Sequence, residues 1–149
     1  MAFEFQTATQ KAVYERVAGI LKDQFGKQVT ASETGASFNL RAGSSWVTVS
    51  VSSINEKFTL VRSFCWVVTG AETTAELSKF LLEETFGMRF GSFALEPGTG
   101  DILFTHAIMG EGCDADELLW SLMAVVNVSD EYDDKITQRF GGQRAVDRK

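Results

Sequence analysis

One histidine, His106, and two cysteines, Cys65 and Cys113, are the side chains on which nucleophilic or metal chemistry could be built. A Ser-His-Asp triad needs a histidine held against a serine on a sharp strand-to-helix turn, and no such nucleophile elbow is present. His106 lies in a strand-like run beside apolar residues and reads as structural. Zinc would need all three side chains to converge, yet no Cys-x-x-Cys or His-x-x-x-His spacing presets a site. The stretch from Gly110 to Glu117 resembles a calcium loop only superficially: Leu118 and Leu119 follow, the required glycine is missing, and Val125 stands where the bidentate glutamate belongs. Gly98-Thr99-Gly100 lacks the third glycine and the helix of a dinucleotide site, and reads as a tight hairpin. Asp130 to Asp134 is acidic, but successive helical residues point in different directions, so a solvated face is expected there. The residues thus offer no catalytic group, no metal site and no cofactor site, and an enzyme is not expected.

What they do offer is an apolar surplus. A long closing helix is expected from Asp114 to Phe140, with Asp114 and Glu117 as a capping box and Gly141-Gly142 as the stop. Leu118, Leu122, Val125, Ser129, Tyr132, Ile136 and Phe140 fall on one stripe of that helix, the pattern of a helix lying on a core. Leu119, Met123 and Val126 widen the stripe, and Trp120 projects nearly opposite its centre. These extra side chains either pack under a neighbouring helix of the same chain, form a dimer contact, or bind a peptide.

The remaining elements must position that helix. Ala8 to Phe25 forms a first amphipathic helix, with Val13, Val17, Ile20, Leu21 and Gln24 clustered and Gly26 ending it. Strands are expected at Ala36 to Ala42 and Trp46 to Ser53, joined as a hairpin by Gly43-Ser44-Ser45, and then at Phe58 to Val68. In this third strand Phe58, Leu60, Phe64 and Trp66 share one face with Arg62, while Val61, Cys65 and Val67 share the other, which predicts a central strand covered on both sides. Thr73 and Glu76 read as the capping box of a second helix that carries Leu77, Phe80 and Leu81. Strands at Phe90 to Glu96 and Ile102 to Met109 flank the turn Pro97-Gly98-Thr99-Gly100-Asp101. Trp46 and Trp66 are expected in the core, with a surface platform as the alternative. The order is α-β-β-β-α-β-β-α, and short links between successive strands make this an α+β fold, an antiparallel sheet packed by helices.

Composition bounds the rest. A chain of 149 residues with 44% hydrophobic content and a single proline is one domain, 1–149, with a flexible tail at 143–149. A formal charge of −6 argues against a nucleic-acid partner, since that affinity comes from clustered Lys and Arg. It weakly suits a basic or amphipathic polypeptide. No apolar run is long enough to span a bilayer and the start lacks a secretory pattern, so a cytoplasmic protein with reduced thiols and no membrane partner is expected.

From Leu77 to Gly142 the chain resembles the YbjN family, whose members share the type III secretion chaperone-like fold. The likeness rests on a helix, a Gly-containing link, and a Gly-x-Phe-x-Leu strand at Gly91, Phe93 and Leu95. It continues through Asp101 and Ile102 into a long final helix with Leu118 and Asp130 that ends at Gly141-Gly142. Where the family pattern often has an asparagine before that strand, this chain has Thr85. The resemblance implies a small, acidic, often dimeric bacterial protein that binds extended polypeptide or serves a regulatory role. Two expectations follow. One is a noncatalytic chaperone or adaptor that binds a protein or peptide client on an apolar surface made by Phe64 and Trp66 of the third strand with Leu119, Trp120 and Met123 of the last helix. The other is a homodimeric regulatory or structural subunit that buries the same residues against its copy and has no client.

Overall fold

Val47, Val49 and Val51 alternate with Trp46, Thr48 and Ser50, and this period of two commits one face of the sheet to a core. The computed structural model describes residues 3–148. It runs α1 (Ala8–Phe25), β1 (Val29–Ala31), β2 (Ser37–Ala42), β3 (Ser45–Ser53), β4 (Thr59–Thr69), α2 (Ala75–Phe86), β5 (Ser92–Leu95), β6 (Ile102–Met109), α3 (Ala115–Phe140) and β7 (Gln143–Arg144). The strands form one antiparallel sheet in the order β1-β2-β3-β4-β6-β5, with β7 added at the end of β4. The α+β architecture and its helix-strand order hold as expected, with two short strands added. Val29-Thr30-Ala31 is three residues long and mostly exposed, so it carries no readable alternation. Within the segment expected as a flexible tail, Gln143 and Arg144 pair with β4 and Ala145–Asp147 form a 3-10 turn.

All three helices lie on one side of the sheet. Tyr14 of α1 stacks on Phe38 of β2 with ring centroids 4.6 Å apart, beside fully buried Val17 and Leu21. Gln24, expected on this stripe, is exposed, and Gln10 is buried instead, its amide donating to the Val51 carbonyl at 2.9 Å. α3 spans the middle of the sheet, where Leu118, Leu122, Val125 and Ile136 are inaccessible to solvent. α2 packs at the far edge, with Phe80 lying against Tyr132 and Phe140 of α3. Its N-cap is Thr74, which accepts from the Leu77 amide at 3.1 Å, and not the expected Thr73. Asp133 departs from the solvated acidic face expected of α3: it is buried, and burial raises its carboxyl above the ordinary range.

The Gly-x-Phe-x-Leu strand shows why its first residue has no side chain. A Cβ on Gly91, at φ +79°, would sit 2.6 Å from both the Phe104 ring and the Thr105 carbonyl oxygen. Gly142 is as constrained, since a Cβ there would meet the Thr69 carbonyl at 2.8 Å, where the chain leaves α3 to join β4.

β4 corrects one expectation. Val61, Ser63, Cys65 and Val67 face the helices and are buried, but Leu60, Arg62, Phe64 and Trp66 face a side on which no helix lies. Phe58 falls outside the strand and is 45% exposed. Trp46 and Trp66 are not core residues: Trp46 is 61% exposed and Trp66 is partly buried, both on that same open face. Both faces of β4 read as apolar from sequence because the outer one is an apolar surface, met by residues 145–148 at Trp66 but covered by no α-helix.

Candidate functional site

Register assembles the open face. Phe64 lies across from Thr105 and Trp66 from Leu103 on β6, and Leu103 lies across from Ala94 on β5, so all project to the same side. Phe64, Thr105, Leu103 and Ala94, with Leu95 and Pro97, floor a shallow cleft of about 270 Å³, which Arg62 and Glu96 also line. Phe64 and Trp66 meet edge to face, ring centroids 5.7 Å apart. The Trp66 indole N–H donates to Glu96 Oε2 at 3.2 Å, and the Thr99 hydroxyl donates to the same oxygen at 3.1 Å. The platform is therefore fixed before anything lands on it. An apolar floor lined by one cation and one anion suits an extended chain with alternating apolar side chains.

The cleft runs up to a free strand edge. β5 is the last strand of the path, and Leu95 and Ala94 also line a groove of about 230 Å³ shared with Ser78, Leu81 and Leu82 of α2. Thr85 Oγ1 accepts from the Phe93 amide at 3.1 Å, so α2 closes one outward N–H of this edge. That is what the residue in the place of the family's asparagine does here. Leu82 and Phe86 of α2 stay 71% and 94% exposed.

Leu119, Trp120 and Met123 are on the other side of the molecule. With Asp116 they make a shallow apolar patch of about 260 Å³, and Trp120 is 69% exposed. Val126, counted in the surplus, is buried in the core. The structure does not bring this patch together with Phe64 and Trp66. Cys65, between those two, points the opposite way, its thiol 3.8 Å from the Val125 carbonyl of α3. The single surface expected from β4 and α3 is thus two surfaces, separated by the sheet and the helix laid on it. Sequence reasoning overlooked Leu103 and Ala94, although Leu103 alternates with the inward Ile102 and Phe104 and was readable as outward on that ground.

The chemistry-bearing side chains sit elsewhere and are occupied. His106 faces inward, its Nδ1 2.7 Å from the Ser121 hydroxyl of α3, with Phe90 edge-on to the ring. Burial lowers its pKa, and Glu117 opposes that shift. Cys65 and Cys113 are both free and buried, and burial pushes each thiol up to about 11, far from a reactive thiolate. Among the described residues no group of three or more His, Cys, Asp or Glu side chains is placed to hold a metal, and no helix is long and apolar enough to cross a membrane.

No curated protein matches the chain. Among solved structures it is similar to a chain of the crystal structure of the ExsC-ExsE complex, with a TM-score of 0.64 at 12% identity, covering 83% of this chain and 92% of that one. At that identity the likeness concerns the fold. A family profile described as "T3SS (YopN, CesT) and YbjN peptide-binding chaperone 1" matches residues 11–148, nearly every element from α1 to the closing 3-10 turn. The chain belongs to this family of type III secretion and YbjN peptide-binding chaperones.

Proposed function

We propose that this protein is a noncatalytic chaperone or adaptor that holds an extended polypeptide on the open face of its sheet. The observation that carries the reading is the apolar cleft of Phe64, Leu103, Ala94 and Leu95, uncovered by any α-helix and buttressed by Trp66, which packs on Phe64 and donates to Glu96 at the rim. A client strand lays every second side chain on this floor, while its backbone reaches the free edge of β5. Membership in a peptide-binding family supports the same reading, as does the likeness of fold to a structure determined as a protein complex. Phe64→Asp puts a charge in the floor without touching the core, because Phe64 faces outward. Pull-down from native lysate with mass spectrometry should recover a stoichiometric polypeptide with the wild-type protein and with Trp120→Asp, and lose it with Phe64→Asp. Retention by Phe64→Asp, or no polypeptide with any form, counts against the reading.

The second reading, a homodimer without a client, draws its support from Leu119, Trp120 and Met123, which lie apart from the sheet face and have no use in the first. A two-fold contact would bury that patch against itself. Light scattering distinguishes it: a dimer that Trp120→Asp converts to a folded monomer assigns the patch to self-association, and an unchanged mass removes it.

A further inference from the structure

We infer that the edge of β4 beyond its last β3 pair, with the cleft between Trp46 and Trp66 beside it, is a strand-binding subsite whose backbone slot the chain's own Gln143 and Arg144 fill and whose cleft Ala145 and Val146 line, and that an extended client segment bearing short aliphatic side chains takes their place. This rests on the polypeptide-binding reading above and gives that site a built-in competitor.

β3 pairs with β4 only as far as Thr48 opposite Phe64, and then turns away through Gly43 and Ser44. The backbone of β4 beyond Phe64 would be open on that side. β7 fills the slot, pairing Arg144 with Val68 and Gln143 with Thr69 in antiparallel register. The chain thereby performs strand addition on itself. Ala145 and Val146 follow directly, and with Trp46, Trp66, Thr69 and Arg148 they line a cleft of about 120 Å³. Two indoles form wide apolar walls, and the side chains the tail presents there are a methyl and an isopropyl group. The tail thus displays the ligand chemistry of the subsite. It does so incompletely, since Trp46 is still 61% exposed with the tail in place.

The attachment is slight. Only two residue pairs hold the backbone, and the Arg144 to Asp134 ion pair, at 3.6 Å, is between exposed side chains. The tighter Arg144 to Asp147 pair, at 2.7 Å, lies within the tail and survives its release. Gly141 and Gly142, both at positive φ, precede it, so the chain can change direction there without a side chain in the way. A client strand that continues past two residues makes more pairs along the same edge than the tail does, and exchange follows.

The probe is a synthetic peptide of residues Gly142 to Lys149, added to the 149-residue chain carrying Trp120→Phe so that emission comes from Trp46 and Trp66. With its own tail in place this protein should bind the peptide weakly. Val146→Asp in the same chain should release the tail and bind the peptide about tenfold more tightly, with a blue shift of the indoles. Val146→Thr, close to valine in shape, should fall between and guards against a folding defect. Equal affinity in all three, or no binding by either variant, overturns the inference. In the lysate pull-down, Val146→Asp should recover more of the polypeptide than wild type. Equal recovery makes the tail a fixed part of the fold and sinks the inference while the reading stands. If wild type recovers nothing, the reading fails, and the peptide titration still decides whether the tail is exchangeable.

Discussion

Burial decides what His106 can do. Its ring is held against Ser121 and edge-on to Phe90, and burial lowers its pKa below the ordinary 6.5, with Glu117 acting against the shift. The folded protein therefore takes up this proton less readily than the unfolded chain. Stability from the neutral ring is complete above about pH 6.5 and is lost as pH falls through the lowered folded value. Urea midpoints should drop on going from roughly pH 7 to pH 5, and His106→Gln should flatten that slope. A slope that His106→Gln leaves intact would assign the titration to another group. At this scale the sequence was legible where chemistry needs spacing: with no partner motif near His106, Cys65 or Cys113, a structural histidine and reduced thiols were the readable outcome. It was not legible where burial is set by tertiary placement, as with Gln10 inside and Gln24 outside. A polar side chain one or two turns along α1 is buried only because the Val51 carbonyl waits for it.

α3 carries two populations of apolar residues, and stability separates them. Leu122 is inaccessible to solvent, so Leu122→Ala should destabilise by about 2–5 kcal/mol through lost burial and the cavity left behind. Trp120→Ala, a larger deletion at a 69% exposed site, should change stability by only about 0.5 kcal/mol. Comparable losses for both in thermal or urea unfolding would mean that Trp120 is packed. The helix itself was readable throughout, from the Asp114 cap, accepting from the Glu117 amide at 2.8 Å, to Gly141. The strands of β2 to β4 and β6 were readable too, because alternation over six or more residues leaves little ambiguity. β1 and β7 escaped because strands of three and two residues have no period to read. For β4, alternation separates its two faces but cannot say whether each face is covered. That question is answered by where the helices go, and all three go to one side.

Across the whole molecule, the layering turns one expected surface into two. The sheet face carries an apolar cleft beside the β5 edge, which the proposed function assigns to an extended chain, and the helical side carries the separate apolar patch around Trp120, which the second reading assigns to a copy of the chain. The residues named in advance for an interface were outward-facing, but their division between two sides was not readable, because it depends on which face of β4 α3 chooses. The most direct test of the sheet-face account is site-specific photo-crosslinking in native lysate, with a benzophenone side chain placed at Leu103 in one preparation and at Trp120 in another. The account predicts a discrete polypeptide crosslinked from position 103 and none of that species from position 120. Crosslinking of the polypeptide from position 120 alone would contradict it.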